Sequence, residues 1–323
     1  QKQKVYVLRG RKSEAETFFQ GDMVGREIEL QKLADLVAPI WEGKYAGIAG
    51  IWGEAGMGKS RLVYEFKSLP VIQTRQSLWA TCQSDQILRH SFNPFRYWLF
   101  RYFDVLPTED EPTRLQKFSA RLDDLVSTTK DQSLAGELKR TRSFLAALVD
   151  LTWPGSLYGE LDAQGRYDNT IIALISLIKA ESLRQPFIVF IEDAHYLDED
   201  SVSFLLRLKR SLTAQKVDYP IAILMTTRWQ GIKVLLEHNF ADHEVDLNGL
   251  SSESISHMTK YILGGPASTT LADLVDKRAE GNPFFAEQIV HYLREEDLLE
   301  LSPSGEWTFK QAWKSSVLPA DIS

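Results

Sequence analysis

Apolar residues fall along this chain in two rhythms. Short unbroken runs, "AGIAGIWG" (46–53), "SLWATC" (77–82), "FIVFI" (187–191) and "IAILM" (221–225), have the length of strands. Continuous apolarity suits strands buried on both faces, as in a parallel sheet. Between them the spacing changes to that of helices. Ile28, Leu30, Leu33, Leu36 and Val37 predict a helix over 27–37, and another is predicted over Arg61–Phe66. Phe95, Trp98, Leu99, Tyr102 and Phe103 sit at i, i+3, i+4, i+7 and i+8, one broad apolar face. Arg96 and Arg101 beside those rings could suggest a nucleic-acid platform, but helical core is the better reading.

From Glu109 to Arg184 the pattern is helical throughout. Leu115, Phe118, Leu122 and Leu125 mark one helix, and Phe144, Leu145, Leu148 and Leu151 another. "LTWPGSLYG" reads as a loop, and "NTIIALISLIKAESL", apolar on more than one side, is expected to pack on the sheet. Ser201–Lys209 is a helix with Asp200 as its cap. Strands alternating with helices predict a doubly wound α/β domain. After about residue 245 strands are expected to stop. Ser251 caps a helix with Ile255, Met258 and Ile262; Leu271, Leu274 and Val275 mark a second, ending at Gly281. Asn282-Pro283 opens a third, with proline at its first position, and "LLELSPSGEWTF" reads as a β-hairpin.

The expected organisation is a linker over 1–20 with a short strand at Val5–Leu8, and an α/β domain over 21–245 with a helical insert at about 107–185. A small helical arm with the hairpin covers 246–323. The charged opening without a starting Met and the abrupt ending read as an excised segment of a larger protein.

Composition narrows the class. The 323 residues are 44% hydrophobic and 25% charged, ordinary for a globular protein. A formal charge of -7 gives no support for non-specific nucleic-acid binding, which rests on neutralised phosphates. The single cysteine, Cys82, cannot form an internal disulfide, which favours a reducing cytoplasmic compartment. Its place in "SLWATC" makes it a small buried hydrophobe. No apolar run is long enough for a membrane span.

Three segments carry chemistry. "GEAGMGKS", Gly53, Glu54, Ala55, Gly56, Met57, Gly58, Lys59 and Ser60, fits G-x-x-x-x-G-K-[ST] without deviation. Its glycines let the backbone turn its N–H groups onto an anion, and the following helix, through Arg61, adds its positive end. Lys59 is expected to reach the β- and γ-phosphates and the Ser60 hydroxyl to ligate Mg²⁺. In "FIVFIED", Glu192 takes the metal-shell position and Asp193 that of the residue polarising water. Aspartate usually comes first in such a pair; the bland alternative is a solvated acidic loop. "ILMTTRW" ends a strand in Thr226, Thr227 and Arg228, a hydroxyl and a guanidinium suited to the γ-phosphate side. His195 and Asp198 either extend this site or only bond the loop and cap a helix.

The order "MVGREIEL", "GEAGMGKS", "FIVFIEDAHYLD", "TTRW", "AEGNPFFAEQIV" resembles the STAND class of AAA-like P-loop ATPases, in the subtype attached to class III adenylate/guanylate cyclases and large bacterial transcription regulators. The resemblance runs from about residue 19 to the end. It implies an AAA-like P-loop NTPase sheet flanked by helices, a C-terminal arm or lid, ATP or ADP with Mg²⁺ as ligands, and slow hydrolysis of ATP to ADP and phosphate. It places Met23, Val24, Gly25 and Arg26 against adenine and ribose, with Pro283 of the Gly281-Asn282-Pro283 element near the base. For these, Gly25 as a plain turn and Gly281/Pro283 as a helix stop and start remain open. It also implies an upstream domain, a cyclase among the possibilities, and a winged-helix or repeat domain downstream. No lid arginine or arginine finger is identifiable, which favours a nucleotide-operated signalling switch over a motor. The alternatives are a DNA-loading ATPase of the origin-recognition type, a P-loop kinase acting on a small molecule, and a scaffold that binds nucleotide without hydrolysing it.

Overall fold

A computed structural model describes residues 23–85, 87, 90–214, 217–229 and 240–310. The expected strand at Val5–Leu8 lies outside these. The described residues form two compact units, Arg26–Gly249 and a second made of Met23–Gly25 with 250–310.

The larger unit is built on a five-stranded parallel sheet. β1 (Gly47–Trp52), β2 (Leu78–Gln83), β3 (Phe187–Glu192), β4 (Ile221–Thr227) and β5 (His243–Asp246) stand in the order β2-β3-β4-β1-β5. All four neighbouring pairs are parallel. The unbroken apolar runs account for this: every residue of β4 is buried, and β3 is buried up to Glu192. Burying such a Val, Leu, Ile or Phe side chain contributes roughly 1.5–3 kcal/mol. β5, which ends where strands were expected to stop, was not itself among the predicted strands. "HEVD" buries only Val245, so this edge strand carries no apolar run to announce it.

Helices α1 (Glu27–Val37), α2 (Lys59–Ser68), the short α3 (Pro70–Gln73), α4 (Asn93–Tyr102) and α9 (Glu199–Thr213) are joined by an insert of α5 (Glu111–Thr128), α6 (Gln132–Leu148), α7 (Leu157–Glu160) and α8 (Ala163–Arg184). The α1 face is imperfect, since Ile28 is 82% exposed while Leu33 and Val37 are buried. The aromatic stripe of α4 is core: Phe95, Trp98, Leu99 and Phe103 are buried, with Phe103 just past the helix end. α8 packs along α6 and against β3, as its all-round apolarity suggested. The segment expected to be a plain loop contains α7, whose first turn is capped by Ser156. Glu181, buried within α8, is matched by the Tyr102 hydroxyl, Arg121 at 3.5 Å and Arg184 at 3.7 Å, which offsets the desolvation of its charge.

The cap of α9 is Asp198, not Asp200: its carboxylate accepts the Ser201 N–H at 2.9 Å and the Ser201 hydroxyl at 2.6 Å. The helix therefore starts two residues before the expected Ser201 and runs four past Lys209. Cys82 is fully buried in β2.

In the smaller unit α10 (Ser252–Leu263), α11 (Thr269–Ala279) and α12 (Pro283–Glu295) pack around Ile255, Leu271, Val275, Ile289 and Leu293. Ser251 caps α10 and Asn282 caps α12. β6 (Leu299–Leu301) and β7 (Trp307–Phe309) form the antiparallel hairpin. Among the described residues no helix is long and apolar enough to cross a membrane.

Candidate nucleotide-binding site

The chemistry-bearing segments of the larger unit follow the carboxyl ends of β1, β4 and β3, three neighbours in the sheet. Ligands of open α/β sheets bind outside these ends. The P-loop leaves β1 at Gly53, where an added Cβ would stand a tight 3.1 Å from the Leu247 carbonyl oxygen. Gly56 and Gly58 lie at φ of 82° and 85°, the left-handed region that glycine enters without a Cβ penalty. Gly58 is the N-cap of α2 and offers no side-chain acceptor, and the first turn of a helix carries N–H groups suited to an anion.

Lys59 is 8% exposed. Its Nζ donates to the Gly53 oxygen at 2.8 Å and the Glu54 oxygen at 2.9 Å, which keeps the ammonium over the loop it serves. Burial is the main cause that pulls its pKa below the ordinary lysine value; Asp193 and Glu54 oppose the shift, and the Arg228 charge adds to it. The Arg61 side chain lies along its own helix, 3.6 Å from Glu65.

Glu192 ends β3, half-buried, and Asp193 follows in the left-handed region at φ 52°. The Asp193 N–H donates to the Thr226 hydroxyl at 3.0 Å. Thr226 thus pins the backbone that aims the acid, a role the sequence reading had not given it. Thr227 turns its hydroxyl to the Arg228 carbonyl. The Arg228 Nε is buried and has no hydrogen-bond partner among the described residues. One residue on, Trp229 stacks on Trp52 with ring centroids 5.0 Å apart, tying the ends of β4 and β1 together.

The two open residues separate. Asp198 is structural: besides capping α9, it accepts the amides of Phe92 and Asn93 at 3.1 and 3.3 Å. His195 is enclosed, its side chain 5% exposed, 4.0 Å from the Asp193 carboxylate, with neither ring nitrogen hydrogen-bonded among the described residues. Burial, aided by Arg228 and Lys59 and opposed by Asp193, lowers its pKa from the usual 6.5. As pH falls below about 6.5 the unfolded chain takes up this proton before the folded one does, so stability falls in that window. His195→Gln is expected to flatten the slope of urea midpoint against pH between roughly 5 and 7. An unchanged slope would mean that His195 does not drive it.

Lys59, Asp193, His195 and Arg228 therefore lie within electrostatic reach of one another. Arg26 is different: its guanidinium is engaged by Glu29 at 2.9 Å and the Asn248 carbonyl at 2.7 Å. Met23, Val24, Gly25 and Pro283 belong to the smaller unit. There Gly25 lies at φ 69° so close to α10 that a Cβ would meet the Ser254 hydroxyl at 2.5 Å, and Pro283 is the first residue of α12.

The donor set fits a magnesium–nucleoside triphosphate. Helix-start amides, an ammonium and a guanidinium would suit phosphate oxygens, and Ser60 and Glu192 could supply the one or two protein oxygens Mg²⁺ takes beside phosphates and water.

A family profile described as AAA ATPase domain matches residues 22–224, more than half of the chain. No curated protein matches it. Among solved structures it is similar to the Thermotoga maritima RuvB Holliday junction branch migration motor, at 13% identity over 84% of this chain and 62% of that one, TM-score 0.42. It is similar to the Aeropyrum pernix ORC1 protein in complex with DNA, at 12% identity over 85% and 62%, TM-score 0.44. It is also similar to a Walker-type ATPase of Pyrococcus abyssi, at 16% identity over 85% and 69%, TM-score 0.40. The chain spans less than two thirds of the RuvB and ORC1 chains. With a five-stranded parallel sheet, flanking helices and a P-loop after β1, this chain has the P-loop NTPase fold of AAA type and belongs to the AAA ATPase domain family.

Proposed function

We propose that this chain is the ATP-operated switch of a larger cytoplasmic signalling protein, of the STAND type that occurs beside class III cyclases and in large transcription regulators. The observation that carries the reading is the P-loop after β1, beside an acidic tip of β3 where His195 stands 4.0 Å from Asp193, with the charges of Asp193 and Arg228 acting on both Lys59 and His195. The loop amides, Lys59 and Ser60 hold the phosphates. Arg228 faces the γ-phosphate side and distinguishes triphosphate from diphosphate. Ser60 and Glu192 would hold Mg²⁺, which when bound would neutralise phosphate charge. Asp193, its backbone fixed by Thr226, orients and polarises the attacking water, and neutral His195 closes the pocket around it.

Hydrolysis is slow in this proposal because no arginine from outside the site is identified to stabilise the developing charge. The residues that the STAND resemblance assigns to adenine and ribose, Met23, Val24, Gly25, Arg26 and Pro283, keep that assignment within it. ATP and ADP switch the protein only through different affinities for its states, and the output belongs to neighbouring domains such as a cyclase or a winged helix.

Calorimetry with Mg-ATP, Mg-ADP and Mg-GTP, followed by single-turnover hydrolysis, tests the reading. ATP and ADP are expected to bind in a magnesium-dependent way, GTP more weakly, with phosphate released below about 1 s⁻¹, the lower end of ordinary enzyme turnover. A chain that binds no nucleotide ends the proposal, and equal binding of GTP removes its adenine half.

A further inference from the structure

Away from the P-loop, the helical side of the larger unit holds a cavity of about 390 Å³. Its walls come from the start of α4, the end of α6, α7 and the first turns of α8; no residue of the P-loop, 192–198 or 226–228 lines it. This is a small-ligand volume.

Its chemistry is one-sided. Phe92, Phe144, Tyr158 and Tyr167 supply aromatic surface, and Arg96 and Arg166 supply two guanidiniums. Among the described residues no carboxylate lines it, in a chain whose net charge is -7. Arg166 donates to the carbonyls of Tyr158 at 2.8 Å and Gly159 at 3.3 Å and stands 4.9 Å from the Tyr158 ring. Among the described residues its hydrogen bonds go to these two carbonyls and to no carboxylate. Arg96 pairs with Asp150 at 2.7 Å, and the Asp150 side chain is largely exposed, so solvent weakens the pair.

The wall next to α4 is under strain. Phe92 is buried at φ 58°, a left-handed conformation that is a genuine outlier for a bulky side chain. Its ring lies 5.9 Å from that of Tyr167. What holds it is Asp198, through the amides of Phe92 and Asn93, with Ser91 bonded to Asp200 beside it. Asp198 is separated from Asp193 only by the single 3-10 turn Ala194–Tyr196 and Leu197. The cavity wall and the acidic tip of β3 share one short tether.

We infer that this cavity is an effector site for a small planar aromatic anion, its ring between Phe92, Tyr158 and Tyr167 and its acid on Arg96 and Arg166, and that occupancy is felt at Asp193 through Phe92 and Asp198. The binding half stands alone; the regulatory half rests on the proposed nucleotide switch.

The probe is 2-naphthoate, with the uncharged 2-naphthalenemethanol as its isostere, titrated calorimetrically into the whole chain. Naphthoate is expected to bind one to one, and the alcohol about tenfold more weakly, the loss of one charge-assisted contact. Arg96→Gln/Arg166→Gln should weaken naphthoate at least tenfold while fluorescent mant-ADP still binds as in the parent. Should that variant not fold, Ala147→Trp, which fills the cavity from α6, should abolish naphthoate binding. Lys59→Ala must leave it unchanged, since a loss there would place the anion in the P-loop. Naphthoate should also change the mant-ADP release rate at least twofold in the parent. Equal binding of the alcohol, survival of binding in the arginine or tryptophan variant, or no binding at millimolar probe overturns the inference. If the chain meanwhile binds mant-ADP, the nucleotide reading stands without it; naphthoate bound with no mant-ADP binding has the opposite meaning.

Discussion

Lys59→Ala is expected to weaken both Mg-ATP and Mg-ADP by about 10²–10⁴-fold. The buried ammonium sits 2.8 and 2.9 Å from two P-loop carbonyls, so it is already in place for phosphate and loses little freedom when it binds one. Two charge-assisted contacts of about 1.5–3 kcal/mol each give that range, at 1.4 kcal/mol per decade. Arginine should not rescue it. The site is enclosed by Gly53, Glu54 and the first turn of α2, and a planar fork cannot replace a point charge there. The measurement is calorimetry, with thermal unfolding to check that the variant is folded. Affinity within threefold of the parent would remove the P-loop from the proposal.

The second large effect is expected from Asp193→Asn, which should lower the single-turnover rate of ATP hydrolysis by about 10²–10⁴-fold, the usual contribution of a positioned acid–base group. Nucleotide affinity should stay within a few-fold. Asparagine is the apt replacement because it tolerates the left-handed backbone of this position, and the amide held by Thr226 is untouched. The variant therefore changes the proton acceptor and leaves the loop as it is. Unchanged hydrolysis would mean that Asp193 is not the water-positioning residue. Loss of binding together with hydrolysis would mean that the acid shapes the phosphate pocket instead.

Much of the fold could be read from the sequence because its strands are buried on both faces. β1, β3 and β4 have no solvent side, so their apolar runs are unbroken and easily found. The P-loop was equally plain, since the left-handed turns at Gly56 and Gly58 demand glycine at fixed spacing. β5 was not, because an edge strand with one buried side chain looks like loop. Two acids near the start of α9 left its cap ambiguous, and only the bonds of Asp198 to Ser201 and Phe92 resolve it. The support of Asp193 by Thr226 joins residues thirty-three apart and depends on two strands being neighbours, which no local pattern announces. The cavity is less legible still, since it is assembled by helices whose inward faces, read singly, resemble ordinary core.

The strand order has a consequence for how the protein is born. β1, which carries the P-loop, pairs among the described residues with β4 and β5, from Gly47 against Ala222 and Ala49 against His243. A ribosome must therefore synthesise nearly the whole larger unit before that strand has any neighbour, while α5, α6 and α8, close in sequence and packed together, can fold as soon as they emerge. The nascent chain carries an unpaired, aggregation-prone edge from the emergence of β1 until that of β4, and the phosphate cradle is among the last parts of the larger unit to take shape.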